Sequence, residues 1–250
     1  MRAMIAADLR SILAIAQREF ASFYRLPVGW VVLALYLFLG AMVFALWTLT
    51  PGEPASLRGF FGISGFLLLP VMPAVSMRLL SEELRSGTVE GLLTAPVSDA
   101  AVVLGKFLGA CLFLLTLLMP TFVFVIILHA ASDGTPDPGP ILAGYLSLML
   151  LGSLYLAAGT LVSSLTSNQT LAFLGTFLFL LMLLLITGEI ASNPALPRWA
   201  STALIWLSPS RRLEDLAKGL LDLSHIVYFV AASGWFLALA IVSLQSRRWR

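Results

Sequence analysis

Three short patterns in this 250-residue sequence carry residue types able to do chemistry. The first is Gly62-Ile63-Ser64-Gly65, a GxSG form in which a serine can act as nucleophile. A serine nucleophile needs a base within hydrogen-bond reach. The only histidines are His129 and His225, both at the ends of apolar runs. Small residues in membrane helices more often serve close packing. The second pattern is Gly105-Lys106. A phosphate-binding loop needs an earlier glycine and a following Ser or Thr; Phe107 follows instead, so ATP is not bound by that route. The third is the polar stretch 78–106, which gathers Arg78, Glu82, Glu83, Arg85, Glu90 and Lys106. No His/Cys/Asp/Glu cluster has metal-ligand spacing. Catalytic, cofactor and metal residues are therefore expected to be absent from this chain.

These residues sit in an apolar chain. Hydrophobic residues make up 59% and charged residues 11%, against about 25% charged in soluble domains. So little charge does not cover a water-facing surface of this size. A lipid-facing surface needs no such cover, because hydrocarbon is the solvent there. The net charge of +2 is too small to suggest nucleic acid. Cys111 is the single cysteine, which excludes an intramolecular disulfide. The first 25 residues lack the compact apolar core and small-residue cleavage site of a signal peptide.

The expected fold is all-α: a polytopic membrane protein of six transmembrane helices with both termini cytoplasmic. Residues 8–25 are amphipathic. Leu9, Ile12, Leu13, Ala16, Phe20, Phe23 and Tyr24 share one face, and Arg10, Gln17, Arg18 and Arg25 the other, as in a helix lying in the membrane interface. Spans of roughly 20 residues are expected at 28–49, 60–80, 101–128, 141–165, 170–187 and 226–244. Pro27 opens the first, where its missing amide had no partner anyway. Pro70 and Pro73 should kink the second, and Pro120 lies inside the third. Between the last two spans, the connection 188–224 holds a second amphipathic helix after Pro209. Its face of Leu213, Leu216, Ala217, Leu220 and Leu221 is expected to rest on the bilayer or dip partly into it.

Lys and Arg set the orientation. With both ends inside, the inner set is Arg2, Arg10, Arg18, Arg25, Arg78, Arg85, Lys106, Arg247, Arg248 and Arg250; the outer set is Arg58, Arg198, Arg211, Arg212 and Lys218. Ten against five places segment 81–99 in the cytoplasm and connection 188–224 outside. The spans are nearly free of ionisable groups, with Glu189 and Lys106 at span ends. That argues against an ion-coupled transporter, which needs intramembrane charge, and means that energy for transport enters from elsewhere. Gly105 and Gly109 form a GxxxG pair suited to close helix contact, inside the bundle or across a dimer. Ser153, Ala157, Gly159 and Ser163 repeat the small-residue theme in span four.

Within 81–99, Ser86-Gly87-Thr88 breaks a charged helix end, and Thr88 can cap a second short helix. Glu90 suits the first turn of that helix, and Pro96 ends it. The product is a helical finger with acidic residues and exposed leucines, shaped for docking to a protein. At this segment EE-x-R-S-G-T-x-E-x-L-L-x-x-P-V-S, followed by Gly105-Lys106, resembles the cytoplasmic loop of type 2 ABC exporter permeases. The six-span plan is similar throughout. The opening IAQREFASFYRLPVGWVV and the segment LSPSRRLEDLAKGLLDLSHIVYF resemble the gliding-motility-type branch of those permeases.

The resemblance implies that this loop contacts a separate ABC ATPase subunit, which carries ATP and its Mg. The residues it assigns to that contact are Glu82, Glu83, Arg85, Gly87, Thr88, Glu90 and Leu93. It also implies a second membrane subunit, either another copy or a related permease, and an extracytoplasmic accessory subunit near 188–224. The expected protein is a multi-pass permease of a bacterial inner membrane, exporting a lipid-like or amphipathic substrate. A second reading is a mechanical or signalling subunit that relays ATPase-driven motion to an envelope partner without moving a solute.

Overall fold

The computed structural model describes residues 2–48, 56–87, 98–132, 137–188, 190–193, 196–220 and 222–246, with backbone alone at 2–7 and 192. These residues form helices joined by turns. The order is α1 (Arg2–Arg25), α2 (Pro27–Trp47), α3 (Arg58–Ser76), α4 (Ser81–Ser86), α5 (Asp99–Leu118), α6 (Phe122–Ala131), α7 (Pro138–Leu165), α8 (Gln169–Thr187), α9 (Arg198–Leu207), α10 (Pro209–Ala217) and α11 (Leu223–Ser246). Six stretches are long and apolar enough to cross a membrane: Pro27–Trp47, Arg58–Ser86, Asp99–Ala131, Pro138–Leu165, Gln169–Thr187 and Leu223–Ser246.

Local chemistry sets several of the boundaries. Pro27 occupies the first turn of α2. Ser98 caps α5 by accepting from the Ala101 amide. Asp137 and Pro138 start α7, Asn168 caps α8, and Ser208 with Pro209 starts α10. Each side chain satisfies an amide that has no partner within its helix. α4 stops at Gly87, whose φ of +71° is a left-handed conformation that a side chain would strain. The third stretch changes to a 3-10 turn at Met119–Thr121, where Pro120 interrupts the α-helical ladder. The Thr121 hydroxyl donates to the Leu118 carbonyl, and Tyr145 of α7 donates to the Thr121 carbonyl.

α7 is the hub. It packs on α3, α5, α8, α10 and α11. Small residues allow this from several sides: Gly144 lies under the Phe61 ring, Gly152 under Leu114 and Gly159 under Ser76. α2, α8 and α11 are peripheral and keep apolar side chains such as Val31, Phe38, Leu178 and Val242 exposed. Such a surface suits lipid.

The amphipathic helix after Pro209 is packed into the bundle. In α10, Leu213, Leu216 and Ala217 are buried against α3 and α7, while Leu220 beyond it is exposed and Leu221 lies outside the described residues. Leu213 reaches the side of Gly65, level with Leu151 halfway along α7. The missing Cβ at Gly65 opens the space that admits Leu213, so protein and not lipid covers this face. Arg212 secures the fit. Its Nη2 donates to the Trp206 carbonyl at 2.8 Å, its Nη1 lies 3.2 Å from His225 Nδ1, and its guanidinium stacks on Tyr228.

Candidate functional site: an ionic junction of three helices

α1 runs alongside α5 in the same direction. Asp8 sits at Ser98, Phe23 stacks on Phe113 at 4.6 Å, and the Tyr24 hydroxyl donates to Thr116 Oγ1 at 2.6 Å. Gly105 faces Ile12 and Ile15, and Gly109 faces Ala16, Glu19 and Phe20. The GxxxG pair therefore serves contact within the chain, between α5 and the N-terminal helix. The apolar sector of α1 is divided. Ala16 and Phe23 are buried, while Leu9 and Leu13 stay exposed, so part of the expected interfacial face is taken by α5.

This close approach carries Glu19 to Lys106. Lys106 lies about two turns into α5. Its Nζ is 3.3 Å from Glu19 Oε2 and 2.9 Å from Glu83 Oε1. Arg18 Nη2 approaches the same Glu83 oxygen at 3.6 Å. The Lys106 side chain is 4% exposed, Glu19 10% and Glu83 14%, so the pairs are shielded from water, whereas Arg18 is 62% exposed. One buried ammonium thus joins α1, α4 and α5.

α4 is also pinned to the hub. Ser163 Oγ on α7 accepts the amides of Leu80 and Ser81 at 3.1 and 3.0 Å and donates to the Met77 carbonyl at 3.0 Å. The break between α3 and α4 frees these groups, and one hydroxyl satisfies them. A displacement of α4 is resisted by α1, α5 and α7 together.

Of the residues assigned to a partner contact, Glu83 is turned inward to Lys106, while Glu82, Arg85 and Gly87 are exposed. Thr88, Glu90 and Leu93 lie outside the described residues. Glu19 is the member that sequence reading missed. Its signal is an acid set in the stripe of Ala16 and Phe23. An acid there requires a cation on the facing helix, and Lys106 beside Gly105 in an apolar run is the complementary oddity.

Helix length sets the level of the junction. Asp99–Ala131 spans 33 residues, about 50 Å at 1.5 Å per residue, against about 30 Å of hydrocarbon. The surplus extends into the headgroup region and beyond. The charges near Asp99 and Lys106 identify the end that projects.

Ser64 has no such machinery. It is fully buried, with the Tyr36 hydroxyl as its polar neighbour. His129 is exposed on α6 and His225 is engaged with Arg212. Ser64→Ala should leave function within about twofold of wild type in any turnover assay, because no base activates this hydroxyl.

The family model described as ABC-2 family transporter protein matches residues 13–247. The chain is also 28% identical over 141 residues to the probable multidrug ABC transporter permease YbhR of Escherichia coli K12, and equally to that of Escherichia coli O157:H7. That alignment covers 56% of this chain and 36% of each relative, so it spans about a third of their length. With the family match running through all six candidate spans, the chain belongs to the ABC-2 transporter family.

Proposed function

We propose that this chain is the transmembrane permease subunit of a type 2 ABC exporter, driven by a separate ATPase subunit that holds ATP and Mg. The carrying observation is the ionic junction. Glu83 on α4 is tied through Lys106 to α5 and α1, and Ser163 ties the same turn to α7. A push on segment 88–97 by the ATPase would reach four helices through these short contacts. The exposed Glu82, Arg85 and Gly87, with Thr88, Glu90 and Leu93 beyond them, form the proposed contact surface. The Lys and Arg excess supports a cytoplasmic position for this end and both termini, in a bacterial inner membrane. A second copy or a related permease completes the membrane unit. The multidrug name of the relatives supports an amphipathic or lipid-like cargo.

Glu90→Lys and Glu82→Lys test the contact. Each should weaken co-purification of the ATPase subunit and lower coupled ATP hydrolysis by about tenfold, the scale of one lost charge-assisted contact. Assembly and turnover at wild-type levels in both variants would overturn the assignment.

A mechanical relay is the second reading, in line with the gliding-motility-type resemblance. α9 favours it: Trp199 and Trp206 are 78% and 67% exposed, beside the α10 anchor. An accessory subunit bound there would sense movement of α7 and α11. ATP hydrolysis that rises with amphipathic cargo in the bilayer supports export. Hydrolysis that responds only to an extracytoplasmic subunit supports the relay.

A further inference from the structure

A polar cleft of about 360 Å³ opens beside the ionic junction, between the end of α1 and the turn from α3 to α4. Arg18, Arg25, Arg78 and Lys106 line it together with Glu19, Glu82 and Glu83, so its cations outnumber its carboxylates by one. Arg78 is the unusual member. It is 7% exposed, yet among the described residues its guanidinium makes one hydrogen bond, from Nη2 to Ser22 Oγ at 2.7 Å. Nε is buried without a partner. The Phe23 ring lies 4.7 Å from Cζ. Among the described residues no carboxylate comes within ion-pair distance of it: Glu19 and Glu83 are held by Lys106, and the exposed Glu82, though it lines the cleft, forms no ion pair with Arg78. A buried cation with a hydroxyl and a ring as its company is costly unless an anion joins it. Arg25, exposed on the same wall, adds a second guanidinium that has no ion pair among the described residues.

The level of the cleft names the anion. Arg78 follows Arg58, the first residue of α3, by about twenty residues, or about 30 Å of helix, which matches the hydrocarbon thickness. α2 starts beside the same cleft after Leu26, and Trp30 sits one turn into it, 56% exposed, with its indole N–H donating to the Tyr24 carbonyl at 3.0 Å. A tryptophan with one polar tether and an exposed ring is a headgroup-level residue. We infer that this cleft holds the phosphate group of an anionic phospholipid, gripped by Arg78 and Arg25, with the acyl chains running down past Leu26 and α2. Guanidinium suits this role because its planar donors match phosphate oxygens. The lipid bridges α1 to the α3–α4 turn beside the ionic junction, whose Lys106 lines the same cleft.

The test is native mass spectrometry of the full chain, extracted in mild detergent and given equal amounts of phosphatidylglycerol and phosphatidylcholine. Wild type should retain phosphatidylglycerol in preference. Arg78→Gln should lower that retention about tenfold, the worth of one charge-assisted contact, and Arg25→Gln should lower it severalfold. Arg58→Gln, at the other end of α3, should retain it as wild type does. Equal retention of the two lipids by wild type, or undiminished retention in Arg78→Gln, would overturn the site. If Arg78→Gln does not fold, Arg25→Gln decides, since its side chain is exposed and its loss leaves no cavity. Millimolar inorganic phosphate that raises the melting temperature as much as phosphatidylglycerol does would overturn the lipid as the source of the phosphate. No ATP or ATPase subunit enters the measurement, so its outcome is independent of the coupling reading.

Discussion

Lys106→Ala is expected to destabilise the protein by about 3–5 kcal/mol, the range for removing one partner of a buried ion pair. Two carboxylates depend on this ammonium, Glu19 at 3.3 Å and Glu83 at 2.9 Å, and both are largely shielded from water. Without it the exposed Arg18, 3.6 Å from Glu83, is the cation left to them among the described residues. Glu19→Gln and Glu83→Gln should each cost less, because Lys106 keeps one carboxylate in either case. Arg18→Ala should cost under about 1 kcal/mol, as for exposed pairs. Thermal unfolding of the full chain in nanodiscs gives the ranking, and Lys106→Ala melting with wild type would refute it. A triple replacement, Lys106→Met with Glu19→Leu and Glu83→Leu, separates stability from coupling. Apolar substitutes for a buried ion cluster can restore stability. They also remove the tie between α4 and α1, so coupled ATP hydrolysis should stay low even where the melting temperature recovers.

Gly109→Leu should have the next largest effect, on the docking of α1. A Cβ at this position would lie 2.7 Å from Glu19 Cβ, 2.8 Å from the Ala16 carbonyl oxygen and 3.2 Å from the Phe20 amide nitrogen. Two of these three are backbone atoms, which no rotamer change can move aside. α1 must therefore shift, carrying Glu19 away from Lys106. Overpacking alone costs about 1–3 kcal/mol, and the broken ion pair adds to it. Limited proteolysis near the α1–α2 turn should release α1 faster than in wild type. Gly62→Leu is the control, because nothing lies within 4 Å of its Cβ position. Combined with Lys106→Ala, Gly109→Leu should add less than its separate cost, since both act through the same contact. Full additivity would show that the glycine and the ion pair are independent.

The six-helix plan was legible in the sequence because it rests on local physics. A run of apolar residues long enough for the bilayer must satisfy its own backbone, and a helix is how it does so. Start signals such as Pro27, Asn168 and Ser208-Pro209 act within a few residues of themselves, so they too could be read directly. The chemical oddities were visible as well: Lys106 in an apolar run, and glycines spaced four apart beside it.

What covers each face was decided by the tertiary structure alone. Periodicity gave α10 an apolar face, but the gap at Gly65 is what seats Leu213 between α3 and α7. Gly105 and Gly109 suited any close neighbour, and the shape of α1, with Ala16 opposite Gly109, made that neighbour α1. Ser163 looked like one more small residue until the break after α3 presented two free amides to it. Glu19 and Lys106 are 87 positions apart. Each states in the sequence that it needs an opposite charge. Only the side-by-side run of α1 and α5 determines which one it meets, because pairing at that separation depends on the shapes of whole helices and not on any local signal.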